Sequence, residues 1–282
     1  MARASSIPSA ASGSAVFRRV IVTRPAHEAQ AWADALQSRG VPCDTLPLIE
    51  IAALPDPSVL APVWQAVPSH FAVMFVSANA VRCFMAARPA GLSLQSCRAW
   101  STGPGTQAAL LAAGWPADLI DSPLETAAQF DSEALWALVA GRTKEAVDLA
   151  VADAKPQPSV LVVRGADAHG QLAGRDWLAL QLERLGVQVL QTVAYVRQAP
   201  ELTPSQRDRA HQAMHDGSWW LFSSSEAAQH LLQACPDLPI GQAQALATHP
   251  RIAQRLQAAG WGRVEIVPAG LESQAESIKS RT

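Results

Sequence analysis

The chain states one pattern twice. Arg39-Gly40-Val41 recurs as Leu185-Gly186-Val187, Phe75-Val76-Ser77 as Leu221-Phe222-Ser223, Thr102-Gly103-Pro104 as Thr248-His249-Pro250, and Gly114-Trp115 as Gly260-Trp261, each pair offset by 146 positions. A further pair, Ile21-Val22-Thr23-Arg24 and Leu161-Val162-Val163-Arg164, is offset by 140, so the second copy carries six extra residues after its opening segment. Solenoid units run to roughly 20–50 residues, so a period this long excludes a solenoid. It reads as two similar domains, with a binding site expected between them.

Each copy alternates strand and helix. Residues 19–23 and 159–163 have a buried-strand pattern, apolar at 20–22 and 160–163, and helices follow. Ala29, Trp32, Ala33 and Leu36 share one face of the first helix; Leu178, Leu182 and Leu185 share one face of the second. Gly40 and Gly186 stand where these helices should stop. Second strands are expected at 44–51 and 188–196. The runs 71–76 and 219–222 end in Ser-Ala-Asn-Ala and Ser-Ser-Ser-Glu, turns suited to capping a following helix. Strands at 99–102 and 244–248, helices ending at Gly114 and Gly260, and strands at 118–121 and 264–267 complete the copies. This alternation predicts an α/β fold with parallel sheets. Residues 141–158 have no counterpart and read as either an extended helix end or a mobile joining loop.

Composition narrows the function. With 49% hydrophobic residues, 16% charged residues and a net charge of -2, the chain has the material for two cores but no basic surplus. Neither nucleic acid nor a membrane surface is therefore an expected partner. Cysteines 43, 83, 97 and 235 form no metal-binding spacing and fit a reducing, cytoplasmic compartment. Residues 1–15 lack the apolar core of a secretory signal and read as a disordered tail. No apolar run approaches the roughly 18 residues needed to cross a bilayer.

Ligands of open α/β sheets bind at the carboxyl ends of the strands, where helix N-termini present free N–H groups. The turns at 77–80, 102–106, 223–226 and 248–251 occupy such ends, so four helix N-termini can face one cleft. Arg24, Arg82, Arg164 and Arg251 accompany them. Guanidinium groups match carboxylates and phosphates, making a multiply charged anion the favoured ligand. Each residue also has a simpler reading: the serines and threonines as helix caps, Arg24 and Arg164 as ion-pair partners, and His249 as a structural residue beside Pro250 rather than a proton shuttle.

Dinucleotide fingerprints, Walker loops, nucleophile elbows and zinc spacings are all missing from the sequence. Tyr195 is the only tyrosine, and its repeat partner is the apolar Ile49. It is either a core residue or the place where one copy became specialised for chemistry.

The segments 20–25, 46–49, 76–81, 103–106 and 192–195, in that order, resemble uroporphyrinogen-III synthases, and the likeness runs from about residue 18 to residue 270. The resemblance implies two flavodoxin-like domains with parallel sheets joined by a two-stranded connector, one domain built from both chain ends. Its expected parts are 16–46 with 198–270, 54–190, and connectors 47–53 and 191–197. The two sequential repeats would then not be the domains. The implied reaction cyclises hydroxymethylbilane, a linear tetrapyrrole with eight carboxylates, losing water and inverting ring D through a spiro intermediate. Neither cofactor nor metal is implied, and a monomer is expected.

By the same resemblance, Tyr195 assists departure of the hydroxyl. Ser77, Thr106 and Ser223 match family positions that line the cleft; with the turn residues and arginines read above, the expected substrate-binding set is Arg24, Ser77, Ala78, Asn79, Gly103, Thr106, Arg164, Ser223, Ser224, Thr248 and Arg251. The second glycine-proline-threonine turn of the family stands here as His249-Pro250-Arg251, so Thr248 or Arg251 would replace its threonine. Two rivals are a non-catalytic binding module or sensor for a polycarboxylate and a flavodoxin-like nucleotide binder.

Overall fold

A computed structural model describes residues 19–94, 97–123, 132–172 and 177–280; the expected tail at 1–15 lies outside them. The chain begins with β1 (Val20–Val22), α1 (Ala26–Gln37), β2 (Cys43–Thr45), β3 (Glu50–Ala53), α2 (Leu60–Ala66), β4 (Ala72–Phe75) and α3 (Ala78–Ala86). It continues with β5 (Arg98–Ser101), α4 (Pro104–Ala112), β6 (Ile120–Asp121), α5 (Ser132–Ala152), β7 (Ser159–Asp167), α6 (Trp177–Arg184) and β8 (Gln188–Gln198). Last come α7 (Pro204–Ala213), β9 (Trp219–Phe222), α8 (Ser225–Ala234), β10 (Gln244–Ala247), α9 (Pro250–Ala258), β11 (Arg263–Ile266) and α10 (Leu271–Lys279).

Two sheets form, and each mixes the repeat copies. One has the order β11-β10-β9-β1-β2, the other β3-β8-β7-β4-β5-β6. All pairings are parallel except that of β3 with β8, which is antiparallel. The first sheet thus joins the opening strands of copy one to the closing strands of copy two, and the second does the reverse. Leaving β3 aside and counting each sheet's strands in chain order, the first has the flavodoxin order 2-1-3-4-5 and the second the doubly wound order 3-2-1-4-5; in each the direction of winding switches beside the first strand. Those switch points lie between β1 and β9 and between β7 and β4.

The apolar runs are buried on both faces of each sheet, as parallel strands require. Val20, Val22, Trp219 and Leu221 enter one core cluster, whereas Ile21, Trp220 and Phe222 enter another. In the second sheet Val73, Phe75, Leu161 and Val163 face one side, and Ala72, Met74, Val160 and Val162 face the other. The repeated tryptophans play matching parts: Trp115 packs edge-on to Phe75 at 5.7 Å and Trp261 edge-on to Phe222 at 5.1 Å. Gly40, Gly114, Gly186 and Gly260 all have φ between +81° and +94°, which accounts for glycine at each repeated helix exit.

Several boundaries differ from the sequence reading. The expected strand at 44–51 breaks into β2 and β3 around Pro47, which has no N–H for a ladder. The strand expected at 118–121 shrinks to Ile120–Asp121 because a 3-10 turn occupies Ala117–Leu119. Of the two readings for 141–158, the helix end holds as far as Ala152. Beyond residue 270, α10 buries Ala275 and Ile278 against the cluster containing β1.

Asp121 ties the short edge strand β6 to its surroundings. Its side chain is 7% exposed, pairs with Arg98 at 2.7 Å and is reached by Arg142 of α5 at 3.0 Å. Burial opposes ionisation, but the two guanidinium groups outweigh it and hold the carboxyl below its ordinary pKa. A depressed folded-state pKa contributes stability above the unfolded value, near 4, that is lost as pH falls through the folded value. Asp121→Asn should therefore destabilise the fold by about 2 kcal/mol in urea titrations at neutral pH, since both arginines are partly exposed. The deficit should shrink below about pH 4 as the wild type loses the same charge.

Candidate functional site

The two topological switch points lie where the copies meet, and the chemistry-bearing residues cluster there. In the end-built sheet, β1 leads into Thr23 and Arg24, while β9 leads into Ser223 and Ser224. The buried Thr23 hydroxyl donates to the Leu221 carbonyl at 2.7 Å and fastens the two strand ends together. In the other sheet, β4 leads into Ser77 and β7 contains Arg164 and Gly165.

Tyr195 is placed by a bulge. Along β7 and β8, Arg164 faces Val193 but Gly165 faces Tyr195, leaving Ala194 as the extra residue. Ala194 and Tyr195 consequently join the same core cluster although they are neighbours. The tyrosine ring lies against Gly165: a Cβ there would sit 2.6 Å from Tyr195 Cε2 and Cζ. Glycine is required for this approach. The Tyr195 hydroxyl is 3.1 Å from Ser77 Oγ, which also accepts from the Ala80 N–H as the N-cap of α3. Burial raises the tyrosine pKa, with Ser77 and Arg197 pulling the other way, so the phenol stays protonated at neutral pH.

Beside this pair is a charged cluster joining elements of the two sheets. Glu28, in the first turn of α1, accepts from Asn79 Nδ2 at 2.8 Å and Arg82 Nη2 at 3.3 Å, and lies 3.6 Å from Arg24 Nη1. Arg82 also donates to Asn79 Oδ1 at 2.6 Å. Arg24 stacks over Trp32 at 4.0 Å, and Trp32 donates to the buried Gln274. Burial lowers the Arg24 pKa, partly offset by Glu28, yet a guanidinium remains charged in such surroundings. Across the connector, Arg197 Nη2 lies 2.8 Å from Glu226 Oε2, in the first turn of α8. That contact lacks hydrogen-bond geometry and is Coulombic.

The structure therefore brings together Tyr195, Ser77, Asn79 and Arg24 from the expected set. Ala78 opens α3 directly after Ser77. Ser224, rather than Ser223, caps α8 by accepting from the Glu226 N–H at 3.2 Å. Its counterpart Ser77 is 147 positions earlier, one more than the sequence offset. Gly103 enters α4 with its backbone bonded to Ser101 Oγ, and Thr106 is buried at 6% exposure. Thr248 holds the Phe222 carbonyl through its N–H. His249 Nδ1 accepts from the Arg251 N–H, the structural part weighed for this histidine. Arg164 is 2% exposed and donates to Gln191 within the sheet at 2.7 Å.

Sequence reasoning passed over Glu28, Gly165, Arg197 and Glu226. For Glu28 a usable signal was present: an acidic residue four places after Arg24 in a helix-opening segment. The others depend on register and on contacts between distant segments. Among the described residues no cluster of His, Cys, Asp or Glu could hold a metal ion, and no helix is long and apolar enough to cross a membrane.

Comparison with known proteins agrees with this architecture. A solved uroporphyrinogen-III synthetase from Helicobacter pylori is 20% identical, with a TM-score of 0.57 over 94% of this chain and 99% of that one. A mutant uroporphyrinogen III synthase from Thermus thermophilus is 16% identical, with a TM-score of 0.53 over 94% of this chain and 98% of that one. At those identities the likeness establishes the two-domain α/β fold. The sequence model of uroporphyrinogen-III synthase HemD matches residues 30–270, most of the chain; β1, Thr23, Arg24 and Glu28 precede the matched region. With that match added to the fold, the chain belongs to the uroporphyrinogen-III synthase family, cofactor-independent cyclising lyases of tetrapyrrole biosynthesis.

Proposed function

We propose that hydroxymethylbilane is cyclised between the two lobes, 16–46 with 198–270 on one side and 54–190 on the other, with Tyr195 as the group that helps its hydroxyl leave. The observation that carries this assignment is the protonated, buried phenol bonded to Ser77 at a switch point. Donation of its proton to the departing hydroxyl, directly or through a bridging water, releases water and leaves an azafulvene cation. Ring D attacks through its substituted carbon, the spiro intermediate fragments and recloses, and the ring proton finally lost restores the phenol. Helix N-termini and arginines hold the carboxylates of the chain. Holding the two ends together favours the spiro route over simple closure.

The protein works as a cytoplasmic monomer without nucleic acid or membrane partners in this reading. A pure binding module is the reading to be displaced. Freshly prepared hydroxymethylbilane, incubated with the protein and resolved by product isomer, tests the choice: predominant type III uroporphyrinogen supports the synthase. Only type I at the spontaneous rate would return the protein to the binding class.

Tyr195→Phe should lower turnover by about a hundredfold, the low end of general-acid contributions, and by more than any single serine or threonine change in the cleft. Activity equal to wild type would sink the acid assignment. Because the phenol pKa is raised, activity should not show a tyrosine-controlled fall until the pH exceeds the ordinary value of about 10.

Gly165→Ala should displace the ring and reduce turnover by about tenfold, comparable to the loss from a misplaced catalytic group. In a Tyr195→Phe background the same change should cost much less, because the displaced phenol is already gone. Kinetics of the four proteins, with thermal unfolding as a control for folding, measure that coupling.

A further inference from the structure

Glu28 occupies a position that a ligand carboxylate fits. Its carboxylate lies between Arg24, from the end of β1, and Asn79 and Arg82, from the first turns of α3. These three donors come from elements of both sheets, so the anion among them bridges the cleft. None of the side chains is fully withdrawn: Arg24 is 17% exposed, Glu28 24% and Arg82 38%. Arg24 Nε is itself buried without a hydrogen-bond partner among the described residues, although its guanidinium is held in place by Trp32. The cluster has more donor capacity than Glu28 uses.

We infer that Arg24, Asn79 and Arg82 form an interlobe subsite for a substrate acetate or propionate, and that Glu28 is its exchangeable internal occupant. This deepens the proposed function and rests on the substrate being the polycarboxylate named there. An internal carboxylate here has two effects. It keeps two arginines neutralised when no anion is bound, limiting the repulsion between them. It also closes the lobes through the hydrogen bonds that the substrate would make, so the substrate's carboxylate must replace it rather than add to it. Exchange of one carboxylate for another preserves the bond types and keeps the replacement close to balanced.

The chemistry is unsymmetrical in a way that can be measured. Glu28→Gln keeps the shape but removes the negative charge, weakening the occupant while leaving all three donors. The KM for hydroxymethylbilane should fall by about threefold to tenfold, the scale of one charge-assisted hydrogen bond after solvent screening. Small-angle scattering before substrate addition should show a larger radius of gyration than wild type. Adding Arg82→Gln to that variant should erase the gain in KM.

If Glu28→Gln folds poorly, Glu28→Asp serves instead, since a carboxylate shortened by one methylene is withdrawn from Arg82. A KM unchanged or raised in the folded single variant, with wild type making type III product, overturns the inference alone. Absence of type III product from wild type instead overturns the proposed function on which it rests.

Discussion

The site depends on pairing between the repeat copies at the centre of each sheet. β1 lies against β9 with Val22 facing Leu221, and β7 lies against β4 with Val163 facing Phe75. Each of these central ladders unites a strand from one copy with a strand from the other. A parallel strand in the middle of a sheet must be covered on both faces, and both ladders consist of nearly continuous apolar residues for that reason. At their carboxyl ends the strands diverge into separate turns. The swap thus turns two equivalent loop clusters toward the connector region, bringing Arg24 near α3 and Tyr195 near Ser77.

Electrostatics within that frame are local. A net charge of -2 gives no general attraction for an anion. The arginines there are instead countered locally, Arg24 and Arg82 by the shared Glu28 and Arg197 by Glu226. Both acids stand in the first turn of a helix, where the backbone dipole also favours negative charge. The helix N-termini that suit substrate carboxylates are therefore the places where the protein's own carboxylates are most comfortable.

Much of the fold was legible because the repeat carries the alternation of strand and helix, and because glycine marks the left-handed exits at 40, 114, 186 and 260. The swap was not legible from periodicity. The same strands and helices would satisfy their apolar patterns if each copy closed on itself, and the choice is made by chain connections and strand partners that no local pattern records. At the site, Tyr195 and Ser77 could be singled out by residue type and turn context. Gly165 could not, because its importance lies in a ring reaching it from the next strand. The pairing of Ser77 with Ser224 rather than Ser223 shows the same limit: three consecutive serines satisfy a sequence alignment equally well, and only the cap geometry selects among them.

The contrast between Tyr195 and its repeat partner Ile49 has a backbone cause. In the first copy, Pro47 follows Thr45 by two residues, and β2 ends at Thr45. Its equivalent at the 146 offset is Val193, which keeps its N–H and lets β8 continue. Continuation alone would leave Val193 and Tyr195 on one face by the alternation of a strand. The bulge at Ala194 breaks that alternation and turns Tyr195 onto the face where Gly165 makes room and Ser77 supplies a partner. A valine in place of a proline, one inserted residue and one missing side chain together convert an ordinary strand end into the mount for the only phenol in the chain.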